Sequence, residues 1–194
     1  MNTTSSATRK SVGTNEAVPP DVTADFRRRY TAIRASVPDG TLVTVLHIGA
    51  EQTLVASGSG TEPEAILTLA MGTHNTAADH FKHHPPTPGE LENAILAVED
   101  ELIRARSVSQ DGSALLSTDA AIREIALLAG VPDRPELILG LEAMERIFGR
   151  LAAVTLGRPA AQESLPSSTA FAATLLILRE FMHHLKFASI GITA

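Results

Sequence analysis

Two short runs of β-forming residues constrain the fold of this chain more than any other feature. Residues 42–48 (LVTVLHI) and 52–57 (QTLVAS) are dense in Val, Leu, Ile and Thr, and only Gly49, Ala50 and Glu51 separate them. Runs of this composition favour extended strands, and so short a connection joins strands that are antiparallel neighbours. The sequence therefore predicts a β-hairpin over residues 42–57.

Strand and helix patterns alternate along the rest of the chain. The pattern predicts a strand at 65–71, for which a short helix is the alternative, and further strands at 113–117, 137–139 and 187–192. Helices are predicted at 21–37, 75–83, 88–106, 119–128, 141–153 and 169–185. The apolar face of the 88–106 helix is expected to comprise Leu91, Ile95, Val98, Leu102 and Ile103. Strands that pair early and then alternate with helices indicate an α/β fold.

The composition excludes several classes of protein. The chain has 194 residues, 44% of them hydrophobic, which is enough to bury one sizeable core. A formal net charge of -6 and scattered Lys and Arg residues argue against nucleic acid as a partner. The absence of cysteine excludes disulfides and thiolate chemistry. Because the chain has neither a bilayer-spanning apolar run nor a signal-peptide core, we expect no membrane association and a cytoplasmic location.

Six segments from residue 42 onward share their order and spacing with one family of known proteins. They are residues 43–55 (VTVLHIGAEQTLV), 67–72 (LTLAMG), 80–88 (HFKHHPPTP), 115–122 (LLSTDAAI), 137–151 and 165–179. In this order they resemble the second lobe of the exopolyphosphatase/guanosine-pentaphosphate phosphatase family. The resemblance implies one actin-like ATPase lobe of the ribonuclease H-like type, an α/β domain with a mixed sheet and helices on both faces. Before this lobe (41–194), residues 1–20 are rich in Ser, Thr, Asn and Gly and are expected to be a disordered arm, followed by an N-terminal helix (21–40).

Two turns differ from the glycine-rich phosphate loops of that family. Residues 49–53 read GAEQT and residues 117–121 read STDAA. Glycines matter in such loops because only a residue without a side chain lets backbone N–H groups close around a phosphate. Each turn also carries an acid, Glu51 or Asp119, which would repel a phosphoryl group by roughly a few kcal/mol. The family's first lobe has no counterpart before residue 42, so we expect a stand-alone lobe that is a pseudoenzyme.

Two functions follow from this interpretation. The first is a non-catalytic association or regulatory module that acts as a homodimer or with a partner protein, because a lone lobe exposes the face that meets its sister. The alternative is a phosphatase or a phosphate- or nucleotide-binding protein with a repurposed site and Mg²⁺ as cofactor. If active, it would hydrolyse phosphoric anhydrides or esters. A small-molecule sensor is a third possibility. The alternative assigns phosphate binding to Gly49, Thr53, Ser117 and Thr118, and metal binding to Glu51 and Asp119.

Other polar clusters receive structural interpretations. The histidines at 74, 80, 83 and 84 include a metal-ligand spacing, but Pro85 and Pro86 end that helix, which favours a polar helix end instead. The acids at 90 and 92 belong to the first turn of a helix, and those at 99–101 to its wet face. Of His183 and His184, one is expected to face water and the other to pack. Residues 167–169 (SST) are expected to cap a helix.

Overall fold

The computed structural model describes residues 20–110 and 112–193, so the predicted arm lies outside the described residues except for its last position. Its elements in chain order are α1 (Pro20–Arg34), β1 (Val43–Ile48), β2 (Thr53–Gly58), β3 (Ala65–Leu69), α2 (Thr73–His80), α3 (Pro88–Ala105), β4 (Ala114–Ser117), α4 (Ala120–Leu128), β5 (Glu136–Gly140), α5 (Leu141–Thr155), α6 (Ala160–Glu163), α7 (Thr169–His184) and β6 (Ser189–Thr193). None of the described helices combines the length and apolarity that a membrane span requires.

The six strands form one mixed sheet in the order β3-β2-β1-β4-β6-β5. The predicted hairpin is confirmed: β1 and β2 are antiparallel, in register from Val43 opposite Gly58 to Ile48 opposite Thr53. Residues 65–69 are a strand, antiparallel to β2, and not the alternative short helix. Strands β1, β4 and β6 are parallel, and β5 is antiparallel to β6. The mixed α/β sheet expected from the sequence is therefore present.

Helices cover both faces of the sheet, as expected. On one face, α1 places Phe26 and Tyr30 against Val43 and Val45 of β1. On the other face, the larger core gathers around α7, most of whose residues are buried. Alternation along β1 explains the division, because successive side chains of a strand point to opposite faces. The sheet thus separates a small core under α1 from a large core under α2–α5 and α7.

Several element boundaries and one apolar face differ from the sequence predictions. Helix α1 ends at Arg34 and not at residue 37, because the Arg34 guanidinium is nearly buried and donates to the carbonyls of Ser59, Val37 and Pro38. The prediction that Ile103 belongs to the buried face of α3 was wrong, since Ile103 is 63% exposed. The buried stripe of α3 instead includes two alanines, and its members are Leu91, Ala94, Val98, Leu102 and Ala105. The short helix α6 was not predicted.

Candidate functional site

The predicted site residues lie in, or directly beside, the turns that follow the parallel strands β1 and β4. Ligands of open α/β sheets bind at this edge, outside the carboxyl ends of the strands. In the β1–β2 turn, the Gly49 amide donates to the Gln52 carbonyl over 2.9 Å. A Cβ atom on Gly49 would lie only 2.9 Å from that same carbonyl oxygen, so the turn requires the glycine. The backbone geometry of the turn therefore accounts for Gly49.

The β1–β2 turn also caps the start of α2. The amide of Thr73 donates to the Gly49 carbonyl over 2.9 Å, and the amide of His74 donates to the Ala50 carbonyl over 2.7 Å. The first amides of a helix have no partner within the helix, which is why open helix N-termini bind phosphate and other anions. Here these two amides are already bonded to the protein's own carbonyls. The N-terminus of α2 is closed by the turn.

Gly72 and Asn75 complete this closure. The Asn75 side chain accepts from the Gly72 amide over 2.6 Å and donates to the Glu51 carbonyl over 2.8 Å. Gly72 lies so close to the turn that a Cβ atom there would be 2.6 Å from the Gln52 nitrogen, and closer still to the Ala50 carbonyl. Sequence reasoning missed this arrangement, although a glycine directly before a helix was a signal for close backbone approach.

Asp119 is held by β1 and not by its own helix. Its carboxylate is almost fully buried, and it accepts from the Ile48 amide over 2.7 Å and contacts His47 Nδ1 at 2.6 Å. Arg29 of α1 brings a guanidinium nitrogen within 3.8 Å of the same carboxylate. Asp119 occupies the N-cap position of α4, but its side chain makes no capping hydrogen bond. These three partners of Asp119 were not predicted.

The remaining predicted site residues have separate surroundings. Thr53 is buried and donates to the Met71 carbonyl over 2.7 Å. Ser117 is buried, and its hydroxyl accepts from the amide two residues ahead. Thr118 lines a surface cleft together with residues of α1 and β5, whereas Gly49 lines a different cleft. Glu51 is exposed, and its carboxylate lies 3.9 Å from His74 Nδ1. The two acids proposed as metal ligands thus have different partners.

Comparison with known proteins rests on three-dimensional structure alone. No family model matches the sequence, and no curated protein matches it significantly. The PPX-GPPA enzyme of Aquifex aeolicus superposes on 84% of this chain with a TM-score of 0.70 at 20% identity. An exopolyphosphatase-like protein superposes on 91% with a TM-score of 0.69 at 14% identity. An exopolyphosphatase from Cytophaga hutchinsonii superposes on 87% with a TM-score of 0.61 at 13% identity.

The chain has the fold of Ppx/GppA exopolyphosphatases. It spans only 57%, 63% and 60% of the lengths of these three proteins, which corresponds to a single lobe. The actin-like lobe expected from the resemblance is therefore confirmed at the level of the fold. At such low identities the likeness carries no residue roles, so the chemistry of the site must be judged from its own side chains.

The cleft beside Gly49 lies at the edge of the sheet where α/β folds bind ligands. It has a volume of about 310 Å³ and lies between the β1–β2 turn, α4 and the start of α7. Its charged lining residue is Glu124, and no Lys, Arg or His lines the cleft among residues 20–110 and 112–193. Ser168 at its rim caps α7 by accepting from the Phe171 amide over 3.1 Å, as predicted. An anion in this cleft would meet no positive side chain from the described residues.

The helix predicted over 75–83 ends earlier than expected: α2 stops at His80, where Phe81 is extended, so His83 and His84 lie beyond its end. His83 Nδ1 lies 2.9 Å from the Glu90 carboxylate, which also accepts from the Thr87 and Lys82 amides. These hydrogen bonds, first that from the Thr87 amide, lower the pKa of Glu90 from 4.5 to about 2. Within the described residues, none of the histidines at 74, 80, 83 and 84 belongs to a group of three metal-ligating atoms.

Proposed function

We propose that this chain is a non-catalytic association or regulatory module with the fold of one Ppx/GppA lobe. The observation that carries the proposal is the closure of α2 by the β1–β2 turn: the carbonyls of Gly49 and Ala50 accept from the amides of Thr73 and His74. A phosphate cradle needs free amides directed at the anion. In this chain, binding a phosphate there would require those hydrogen bonds to break first.

The charges around the turns support the same function. Asp119 places a buried carboxylate behind the turn, and Glu51 places an exposed one on it. The adjacent cleft adds the acid Glu124 and no cation within the described chain. Hydrolysis of a phosphoric anhydride or ester concentrates negative charge on the transferred group, and enzymes stabilise that charge with cations and amide donors. The charged group that lines the cleft has the opposite sign, and Arg29, a cation nearby, already pairs with Asp119.

An exposed apolar surface at the other end of the sheet supports association with a second copy of the chain. Ile138 of the edge strand β5 is 70% exposed and stands opposite Gly191, which stands opposite Leu116. A cleft of about 370 Å³ lined by these residues and Phe187 lies over this part of the sheet. An edge strand offers unpaired backbone groups, and two copies related by a two-fold axis would pair them edge to edge.

A phosphate-release assay tests the proposal that the chain lacks catalytic activity. We expect no phosphate from polyphosphate, guanosine pentaphosphate or a generic ester when each is incubated with the chain and Mg²⁺, with an active exopolyphosphatase as positive control. We also expect no thermal stabilisation by nucleotides or phosphate with Mg²⁺. Phosphate release that rises in proportion to the protein added, and that Gly72→Ala abolishes, would overturn the proposal.

Light scattering at increasing concentration tests association. We expect the wild-type chain to form a dimer, and Ile138→Glu to shift it to a monomer because a charge would enter the apolar contact. Leu156→Glu is the matched control, since Leu156 is 77% exposed at the end of α5, away from β5. A wild-type chain that stays monomeric at high concentration would refute association through β5.

The cleft beside Gly49 favours a second candidate function, a phosphate or nucleotide binder that depends on Mg²⁺. The cleft occupies the edge where α/β sheets bind ligands, and hydroxyl residues line it. Mg²⁺ held by Glu51 and Asp119 would supply the missing positive charge, but Asp119 would first have to release the Ile48 amide. Mg²⁺-dependent thermal stabilisation by a nucleotide, lost in Glu51→Gln, would favour this candidate.

A further inference from the structure

Helices α3 and α7 bring three metal-ligating side chains together outside the two clefts that the proposed function uses. Glu99 belongs to α3, and Glu180 and His184 lie one turn apart on α7. One ligand atom from each of the three lies within 4.8 Å of the others. Residues four apart on a helix share a face, so α7 alone fixes the positions of two of these ligands.

The distances fit a small divalent ion. His184 Nε2 lies 3.0 Å from Glu99 Oε1 and 3.5 Å from Glu180 Oε2. Around a tetrahedral zinc ion, with bonds of about 2.0–2.2 Å, neighbouring ligand atoms are roughly 3.4 Å apart. The two distances from His184 lie on either side of that spacing, and the Glu99 and Glu180 oxygens lie within 4.8 Å of each other, so side-chain movements can bring all three ligands to it. The donor set of one imidazole and two carboxylates suits zinc and related transition metals.

The charges of the cluster also call for a cation. Glu180 is 1% exposed, and its Oε1 is 2.5 Å from Arg179 Nη1, which leaves Oε2 directed at His184. The Arg179 guanidinium also forms an ion pair with Glu145, so it is shared between two carboxylates. Within the described chain, the only ion-pair partner of Glu99 is His184. His183, the other charged or titratable neighbour, lies 3.6 Å from Glu145. Three carboxylates and one guanidinium thus meet in this cluster, an arrangement that a divalent ion would complement.

We propose that Glu99, Glu180 and His184 bind a divalent transition metal, zinc by preference, which links α3 to α7. Arg179 is a supporting partner, because it fixes one oxygen of Glu180 so that the other faces the ion. The side chains of Glu99 and His184 are 35% and 27% exposed, which gives the ion a path from solvent and leaves a fourth position for water. The C-terminal end of α7, where His184 lies, also favours positive charge.

Titration calorimetry tests the site. The untagged full chain is stripped with a chelator and titrated with Zn²⁺, and we expect one high-affinity site. His184→Ala and Glu99→Gln should each weaken Zn²⁺ binding on the order of 100-fold, because losing a ligand costs at least as much as losing a supporting partner. The control His183→Ala changes the adjacent, exposed histidine outside the cluster, and its affinity should match the wild type.

Co²⁺ supplies an independent readout. Tetrahedral Co²⁺ in the wild type and in His183→Ala should give an intense visible absorption that is absent in His184→Ala. Because Glu180 is buried, Glu180→Gln is only a secondary test. The main tests are the variants of the partly exposed residues Glu99 and His184, and circular dichroism confirms that these variants fold. Zn²⁺ affinity unchanged by His184→Ala, or no binding to the wild type, overturns the proposal. The outcome is independent of the phosphate-release assay.

Discussion

Replacing Gly72 with alanine tests whether the β1–β2 turn really closes the start of α2. The backbone of Gly72 is extended, so alanine can adopt its conformation, and the penalty arises from contact alone. The added Cβ would lie 2.6 Å from the Gln52 nitrogen, and closer still to the Ala50 carbonyl. Both neighbours are backbone atoms of a tight turn, which cannot rotate away as a side chain does. The turn and α2 must therefore separate.

The size of the effect follows from what this separation breaks. The bonds from the Thr73 and His74 amides contribute about 0.5–1.5 kcal/mol each. Forcing a methyl group against packed atoms costs about 1–3 kcal/mol. The lower entropy of the unfolded alanine chain offsets about 0.4–1 kcal/mol of this. We expect a net loss of about 3 kcal/mol.

Urea unfolding followed by circular dichroism measures the loss. At a slope of about 2 kcal/mol per M, the midpoint should fall by roughly 1.5 M. Gly149→Ala is the matched control. Gly149 lies inside α5, and apart from its chain neighbours and the backbone of its own helix nothing lies within 4 Å of the added methyl group. Alanine there should stabilise the chain by about 0.5–1 kcal/mol. A loss below about 1 kcal/mol for Gly72→Ala would show that the turn yields easily, and closure would no longer argue against phosphate binding.

Three further variants test neighbouring features in the same urea assay. Asp119→Ala removes a buried carboxylate that bonds the Ile48 amide and His47. It should lower the free energy of unfolding by about 3 kcal/mol. A loss near zero would mean that these bonds do not hold the β4–α4 turn. Ser168→Ala removes the cap of α7 and should cost about 1 kcal/mol. Because the pKa of Glu90 falls from 4.5 to about 2 on folding, its charge stabilises the chain above about pH 4.5 and loses this effect as the pH falls towards 2. Glu90→Gln should therefore reduce the pH dependence of the midpoint in that range, and an unchanged profile would contradict the assignment.

The parts of the fold with regular hydrophobic periodicity were predictable. The hairpin and the long helices follow from local patterns, and the predicted cap at Ser168 is present. Ile103 was misassigned because the true stripe of α3 passes through Ala94 and Ala105, whose small side chains give a weak apolar signal. Helix α6 has only four residues and no pattern long enough to detect.

The surroundings of the candidate sites were much less predictable, because they depend on contacts between distant residues. Asp119 and His47 are 72 positions apart in sequence, and Glu99 and His184 are 85 apart. Local sequence patterns identify a turn or the apolar face of a helix, but they do not show which helix faces pack against each other. The four-residue spacing of Glu180 and His184 was a usable signal for a site on α7, whereas its partner on α3 required the fold.

The position of β6 between β4 and β5 also has a consequence for biosynthesis. Each of these strands pairs with β6, yet β6 follows them only after α5, α6 and α7. During translation β5 has no neighbour in the sheet until the ribosome has released β6, so β5 and β6, two of the six strands, join the sheet late. Contacts between such distant segments slow folding and leave strand edges open to wrong partners. A nascent chain halted after α7 should accordingly remain sensitive to protease in β5 while the early hairpin is already protected.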